Sequence, residues 1–128
     1  MLRIAINGYG RIGRSVLRAL YESDARQWLQ VVAINEPSEA KTIAHLTRYD
    51  STHGRFPGTV ELAENTLIVN GDVIQICHHQ HLQELPWKEH NIDVVLECSG
   101  SFTDRAIAEQ HLSAGAKRVL FSQPAEPT

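Results

Sequence analysis

The stretch that decides the fold is Leu2-Arg3-Ile4-Ala5-Ile6-Asn7, followed directly by Gly8-Tyr9-Gly10-Arg11-Ile12-Gly13. Residues 2–7 form a short apolar run that stops at the glycines, which is typical of a strand buried on both faces of a parallel sheet. From Arg11 to Glu22 the chain predicts an amphipathic helix, because apolar residues recur at helical spacing, with arginines on the other side. These apolar residues are Ile12, Val16, Ala19 and Leu20.

Further strands and helices alternate along the chain. Residues 29–35 are a second β-rich run, so the first part of the chain predicts one βαβ unit. Residues 92–98 and 117–122 predict two more strands, separated by a helix over about 103–114 that Gly115 ends. Because helices lie between the strands, we expect right-handed crossovers and a parallel sheet covered on both faces.

The middle of the chain adds a helix and a hairpin. Ser38 is the predicted N-cap of a helix whose buried face carries Ala40, Ile43, Ala44 and Thr47. Residues 49–58 are rich in turn formers and predict an ordered loop. Beyond it, residues 67–69 and 73–76 flank Asn70-Gly71, a pair that suits a type I′ turn. The whole pattern predicts an α/β fold of Rossmann type: a doubly wound, mostly parallel sheet with an antiparallel hairpin insertion.

Composition limits the classes of protein. With 128 residues the chain is long enough for one domain, so residues 1–128 are assigned to it. A net charge of −3 argues against nucleic acid as a partner, and Arg11, Arg14 and Arg18 are interpreted as a solvated helix face. No apolar run approaches the roughly 20 residues of a membrane helix, and the start lacks a signal-peptide layout. A cytoplasmic protein that does not bind membranes is therefore expected.

The glycine stretch matches G-x-G-x-x-G between a predicted strand and a predicted helix, which is the context of a dinucleotide site. Gly8 allows the tight turn, Gly10 lets the backbone approach a diphosphate, and Gly13 lets the helix pack closely on the strand. The amides of Arg11 and Ile12, at the positive end of the helix, favour a diphosphate.

Glu36, at the end of the second strand, completes this site. Its carboxylate can accept hydrogen bonds from ribose hydroxyls and would repel a 2′-phosphate, so NAD is predicted rather than NADP. Ligands of such folds lie at the carboxyl ends of the strands, which makes Ser99, Gly100 and Ser122 candidates for further cofactor contacts. A capping or turn role explains the serine hydroxyls equally well.

Four segments together resemble the glyceraldehyde-3-phosphate dehydrogenase superfamily: residues 5–14, 32–36, 49–56 and 114–119. Other positions are similar to its D-erythrose-4-phosphate dehydrogenase branch: Ala44-His45-Leu46, Leu85-Pro86-Trp87, residues 93–100, residues 119–122, and Glu36 in place of the usual aspartate. The resemblance covers essentially the whole chain. It implies the oxidation of a sugar-phosphate aldehyde with NAD.

The resemblance also implies roles for individual residues. Arg11 and Ile12 would bind the NAD diphosphate and Glu36 the adenosine ribose, with the residues at 99, 100 and 122 further along the cofactor. Gln80 falls where the family has an arginine whose main chain meets the adenine, so a backbone contact is expected there. Asn7, directly before the glycines, is also taken as cofactor-binding, and Tyr9 replaces the family's usual phenylalanine.

No catalytic residue is assigned within these 128 residues. In the family, a cysteine in a Ser-Cys-Thr-Thr-Asn motif, activated by a histidine, forms a thiohemiacetal with the aldehyde, and neither group occurs in that context here. Cys77 and Cys98 are interpreted as buried, structural thiols. We therefore expect the cofactor domain of a larger enzyme, which in this family is a homotetramer.

Three functions remain open at this stage. The first is oxidation of D-erythrose 4-phosphate with NAD and water to 4-phosphoerythronate, which feeds pyridoxal phosphate synthesis. The second is a phosphorylating glyceraldehyde-3-phosphate dehydrogenase, in which phosphate releases the product. The third is an NAD-binding module without catalysis.

Two stretches that contain histidines are candidates for a metal site or a general base, but neither is predicted to be one. In His78-His79-Gln80-His81, two imidazoles could share one face of an extended strand, but no partner completes a familiar zinc ligand set, so no metal is predicted. His53 lies in the predicted loop without a nucleophile that could be argued beside it, and is interpreted as structural or as a subunit contact.

Overall fold

A computed structural model describes residues 1–50, 54–56, 58–79, 81–98 and 105–121. The helices are α1 Arg11–Glu22, α2 Ala40–Arg48 and α3 Arg105–Ser113, with short 3-10 helices at Asp24–Gln27 and Leu82–Glu84. The strands are β1 Leu2–Asn7, β2 Leu29–Asn35, β3 Tyr49–Asp50, β4 Gly54–Arg55, β5 Val60–Ala63, β6 Thr66–Val69, β7 Asp72–Cys77, β8 Val94–Glu97 and β9 Arg118–Phe121.

The main sheet has seven strands in the order β5-β6-β7-β2-β1-β8-β9. The strands from β7 to β9 in this order are parallel, while β5, β6 and β7 pair antiparallel. From β1 the chain winds outward through β2 to β7, and then returns to β8 on the other side of β1. The predicted doubly wound fold is confirmed, and its topological switch point lies between β1 and β8, where ligands of such sheets bind.

Both faces of the sheet are covered, as expected. One apolar cluster lies under α1 and α2 and includes Ile6, Leu17, Ile34, Ile43 and Ile74. The other lies under α3 and the segment before β8, and includes Val95, Trp87, Ile92 and Ile107. Burial on both faces explains why the central strands are continuous apolar runs rather than alternating ones.

The predicted buried face of α1 was right only in part, because Leu20 packs against the core whereas Ile12 and Ala19 are exposed. Ile12 is 42% exposed, whereas Gly13, Leu17 and Arg18 are buried. The helix turns this face inward because Gly13 packs directly on the glycine turn. Arg18 is therefore not part of a solvated face: its guanidinium lies 5.7 Å from the Phe56 ring centroid, and its Nε lies 3.4 Å from a carboxylate oxygen of Glu22.

The face of α2 was predicted correctly, since Ile43, Ala44 and Thr47 are buried. Its N-cap was not: the cap is Glu39, without a side-chain cap hydrogen bond, and Ser38 lies outside the helix. The Ser38 hydroxyl instead donates to Glu36 Oε2 at 2.9 Å. This hydrogen bond directs the hydroxyl toward Glu36 instead of toward the amides of the first helical turn.

The hairpin is confirmed. Asn70 and Gly71 have φ values of +50° and +87°, the positive angles that a type I′ turn requires. A further strand, β5, was not predicted; it pairs with β6 from Val60↔Val69 to Ala63↔Thr66. This edge strand is short, and its alternate residues Glu61 and Ala63 are exposed and weak strand formers, so the strand pattern is faint.

The remaining elements agree with the prediction except at their ends. Within the predicted loop, β3 and β4 form a short antiparallel ladder, and His53 lies outside the described residues. β8 is shorter than predicted, and β9 begins one residue later than predicted, at Arg118. Gly115, at φ +118°, ends α3, because its amide donates to Leu112 O at 3.1 Å. In the ranges that the structure describes, no helix is both long and apolar enough to cross a membrane.

Candidate functional site

The glycine turn between β1 and α1 is built by close backbone contacts. Gly8 has φ +91°, and its amide donates to Asn35 O at 2.9 Å. A Cβ at Gly13 would lie 2.5 Å from Gly8 O and 3.3 Å from Ile6 Cγ2, whereas a Cβ at Gly10 would meet nothing within 4 Å. Gly13 is therefore required for packing, while Gly10 faces open space that a ligand can enter.

The first turn of α1 lies at this opening. Its N-cap is Gly10, which makes no side-chain cap hydrogen bond, and its first turn contains no acidic residue. The first helical hydrogen bond runs from Arg14 N to Gly10 O at 3.0 Å. The amides of Arg11 and Ile12 precede that bond, at the positive end of the helix, so this turn suits an anion such as a diphosphate.

Glu36 lies beside the glycine turn, and its carboxylate accepts a hydrogen bond from the turn's backbone. Its Oε1 accepts from Tyr9 N at 2.9 Å, and its Oε2 accepts from Ser38 N and Ser38 Oγ, each at 2.9 Å. Burial pushes the pKa of Glu36 upward, but these hydrogen bonds and the neighbouring His78 outweigh it and hold the pKa below 4.5. The carboxylate is thus charged at neutral pH and held at the end of β2.

The side chain of Tyr9 links the glycine turn to α2 through a hydrogen bond. Thr47 Oγ1 donates its only proton to Ile43 O at 2.8 Å, so in the 2.7 Å contact between the two hydroxyls Tyr9 is the donor. Burial raises the pKa of Tyr9 far above its ordinary value of 10.0, against the opposing effects of Thr47, Arg14 and Arg18. The phenol therefore stays neutral and ties the turn to α2.

Asn7 is buried and points into the protein rather than into open space. Its Nδ2 donates to Glu97 Oε2 at 2.7 Å, and its Oδ1 accepts from Asn35 Nδ2, also at 2.7 Å. Asn35 Oδ1 in turn accepts from His79 N at 2.9 Å. These side chains link the carboxyl ends of β2, β1 and β8, so the contact that Asn7 makes in this structure is with the strands around the site.

This network continues to α3. His111 Nε2 lies 2.7 Å from Glu97 Oε2, and Trp87 Nε1 donates to His111 Nδ1 at 3.0 Å. Both side chains of the Glu97–His111 pair are fully buried. Sequence reasoning missed this cluster, although Asn7, Asn35 and Glu97 are each a polar residue at the end of an apolar strand, and that shared position is a usable signal.

Four of the predicted cofactor contacts, Gln80, Ser99, Gly100 and Ser122, lie outside the described residues, so nothing is said of their positions. The structure brings the other candidates together at the switch point: Asn7, Gly8, Gly10, Arg11, Ile12, Gly13 and Glu36. The space at Gly10 is open and lies beside the first amides of α1, which suits the diphosphate of a dinucleotide. The charged carboxylate of Glu36 beside the turn suits the ribose.

The two histidines directly after β7 contact a backbone carbonyl and an exposed carboxylate. His78 Nδ1 lies 2.9 Å from Glu36 O, and His79 Nδ1 lies 3.8 Å from Glu84 Oε2. Across the described ranges, no three His, Cys, Asp or Glu side chains come together as a candidate metal site. Cys77 and Cys98 are both buried and form no disulfide, as predicted for structural thiols.

The chain matches a known protein family. The family described as "Glyceraldehyde 3-phosphate dehydrogenase, NAD binding domain" matches residues 2–105. The matched range contains the glycine turn, Glu36 and the carboxyl ends of β1, β2 and β8.

Proposed function

The chain belongs to the glyceraldehyde-3-phosphate dehydrogenase family through its NAD-binding domain, and we propose that it serves as the cofactor domain of an NAD-dependent sugar-phosphate dehydrogenase. NAD is the cofactor of this domain family. When bound, it accepts the hydride that the aldehyde loses on oxidation. The chain's own residues bind and orient it, while the Ser-Cys-Thr-Thr-Asn motif that carries the family's nucleophile does not occur in this sequence.

The observation that carries this proposal is the pairing of Glu36 with the glycine turn. The carboxylate lies at the end of β2, bonded to Tyr9 N at 2.9 Å, so it is fixed next to the turn whose amides face a diphosphate. Arg11 and Ile12 hold the diphosphate through their backbone amides, and Glu36 accepts from the ribose hydroxyls. Because Glu36 is charged, it also repels a 2′-phosphate and selects NAD over NADP.

For the substrate, we propose D-erythrose 4-phosphate, which is oxidised with NAD and water to 4-phosphoerythronate, NADH and two protons. The support is the resemblance of Leu85-Pro86-Trp87, residues 93–100 and Glu36 to that branch of the family. By the same resemblance, the complete enzyme is a cytoplasmic homotetramer, and its product enters pyridoxal phosphate synthesis.

Glyceraldehyde 3-phosphate, with phosphate as the final acceptor, is the second candidate substrate. It is favoured by the matched family, whose description names that substrate. The two candidates differ in the group that attacks the thioester, which is water in one case and phosphate in the other.

The decisive experiment has two parts. The 128-residue chain is titrated with NAD by calorimetry and assayed for NADH formation with both sugar phosphates. We expect binding without turnover, because the family's Ser-Cys-Thr-Thr-Asn motif does not occur in this sequence. A natural protein that contains this domain is then assayed with both aldehydes, with and without phosphate, and the ratio of kcat/KM values identifies the substrate. Absence of NAD binding by the folded chain would refute the proposal.

A further inference from the structure

The imidazole of His78, the first residue after β7, lies against the end of β2. Its Nδ1 is 2.9 Å from the backbone oxygen of Glu36. A carbonyl oxygen can only accept, so Nδ1 carries a proton in this contact and donates it. The residue is exposed, and its other ring nitrogen can exchange a proton with water. An ionisable side chain therefore lies next to the residue whose carboxylate is proposed to bind the adenosine ribose.

The surroundings of this ring can accept its protonated form. Nε2 of His78 lies 3.4 Å from Oδ1 of Asn65, in the turn between β5 and β6. When both ring nitrogens carry a proton, each N–H has an oxygen in front of it, one on Glu36 and one on Asn65. Histidine is the side chain that ordinarily gains its charge between about pH 5 and pH 8.

Glu36 is the charged group that faces His78 from β2. Burial raises the pKa of Glu36, but the hydrogen bonds from Tyr9 and Ser38 and the charge of His78 lower it, and the result lies below 4.5. The carboxylate therefore stays ionised over the pH range in which an imidazole changes its charge. A proton on His78 then places a positive charge beside a negative charge that is already there.

Other titratable side chains share a surface groove with His78. Those in the described part of the chain are Cys77, His79, Glu89 and His90. Burial raises the pKa of Cys77, which keeps that thiol protonated, and His79 lies 3.8 Å from a carboxylate oxygen of Glu84. The hydrogen-bonding contacts of the His78 ring are with Glu36 and Asn65 rather than with any of these groups.

We propose that His78 is a second specificity-determining residue for the nucleotide, and that its protonation weakens the discrimination against NADP by Glu36. A phosphate on the adenosine 2′-oxygen would lie beside Glu36, whose charge repels it. A positive imidazole next to that carboxylate attracts the phosphate and offsets part of the repulsion. NAD carries no charge at that oxygen, so its affinity changes less. This inference rests on the proposed binding of NAD through Glu36.

The test is calorimetric titration of the 128-residue chain with NAD and with NADP, at about pH 8 and at about pH 5.5. The 2′-phosphate itself gains a proton near about pH 6, so part of any change belongs to the ligand. His78→Asn supplies the reference, because asparagine can donate to the backbone oxygen of Glu36 but carries no charge. On lowering the pH, the ratio Kd(NADP)/Kd(NAD) of the wild type falls by about threefold or more beyond its fall in His78→Asn.

His79→Asn is the matched control, because it removes the neighbouring imidazole from the same groove. The Nδ1 of His79 faces Glu84 at 3.8 Å instead of Glu36. His79→Asn therefore keeps the pH dependence of the wild-type ratio. Circular dichroism at both pH values shows that each protein is folded. A pH dependence that is lost in His79→Asn but kept in His78→Asn overturns the inference.

Equal pH dependence of the ratio in the wild type and in folded His78→Asn overturns the inference as well. NADP binding that stays too weak to measure at the lower pH, while NAD binds, has the same consequence. His78→Gln takes the place of His78→Asn if that variant does not fold. A folded wild-type chain that binds neither nucleotide at either pH overturns the proposed function, and this inference with it.

Discussion

Replacing Gly13 and Gly10 separately by alanine tests the two different tasks of the glycine turn. The added methyl group is the same in both variants, but its surroundings differ. At Gly13, the Cβ would lie 2.5 Å from the backbone oxygen of Gly8, well inside van der Waals contact. At Gly10, it would meet nothing within 4 Å, and φ there is −81°, which L residues adopt readily.

The clash at Gly13 cannot be relieved by rotating a side chain, because the atom in the way belongs to the backbone. Gly8 is held in turn by its bond to Asn35 O at 2.9 Å. We expect Gly13→Ala to lower the free energy of unfolding by about 1–3 kcal/mol, the usual cost of overpacking. Gly10→Ala should change it by less than about 1 kcal/mol, since alanine is only a poorer N-cap than glycine.

NAD binding should respond differently. A methyl group at Gly10 occupies the space through which the diphosphate approaches the backbone, so NAD affinity should fall by about tenfold or more, equivalent to about 1.4 kcal/mol. Urea unfolding followed by circular dichroism gives the stabilities, and calorimetric titration gives the affinities. Wild-type NAD affinity in Gly10→Ala, or wild-type stability in Gly13→Ala, would refute the assignment of these tasks.

Three further predictions concern Glu36 and the hairpin. Glu36→Ala should weaken NAD by about tenfold, because it loses charge-assisted hydrogen bonds, while NADP loses less or gains; parallel titrations with both nucleotides test this. Since the folded-state pKa of Glu36 lies below 4.5, the carboxylate stabilises the fold above that pH. The stability difference between wild type and Glu36→Gln in urea should therefore be full at neutral pH and shrink as the pH falls through the folded-state pKa, whereas a constant difference would contradict the hydrogen-bond assignment. Asn70 combines φ +50° with a 2.9 Å bond from Thr59 N to its Oδ1. Asn70→Ala should thus cost about 1 kcal/mol or more in urea unfolding, and more than Asn70→Gly, which keeps the φ; equal costs would show that the φ does not matter.

Local patterns predicted most of the fold. The apolar run of residues 2–7, the glycine spacing and the Asn70-Gly71 pair each act over a few residues, and the structure confirms β1, the turn into α1 and the hairpin. The errors arose where tertiary contacts outweighed local preference. Arg18 is buried because Phe56, far away in the sequence, covers its guanidinium. The error at Ser38 is local instead: its hydroxyl donates to Glu36, two residues before it, and Glu39 is the N-cap of α2.

Some residues of the candidate site could likewise be assigned from the sequence, and others could not. Gly8, Gly10, Gly13 and Glu36 could be assigned from the sequence, because the strand–turn–helix context fixes what each must do. The contacts that hold this turn in place could not be assigned from the sequence. The hydroxyl of Tyr9, in the glycine turn, is hydrogen-bonded to that of Thr47, in α2, and no local spacing predicts this contact.

Hydrophobic period and turn chemistry act between near neighbours, so the amino-acid sequence was enough to assign the glycine turn, the carboxylate beside it and the long strands and helices, but not the short strands β3, β4 and β5. Only the tertiary structure decided that Asn7, Glu97, His111 and Trp87 form one buried network. These residues come from β1, β8, α3 and the segment before β8, and they meet because the parallel sheet brings the carboxyl ends of its strands to one edge. Each of these buried polar side chains is hydrogen-bonded to another member of the network, as buried polar groups require.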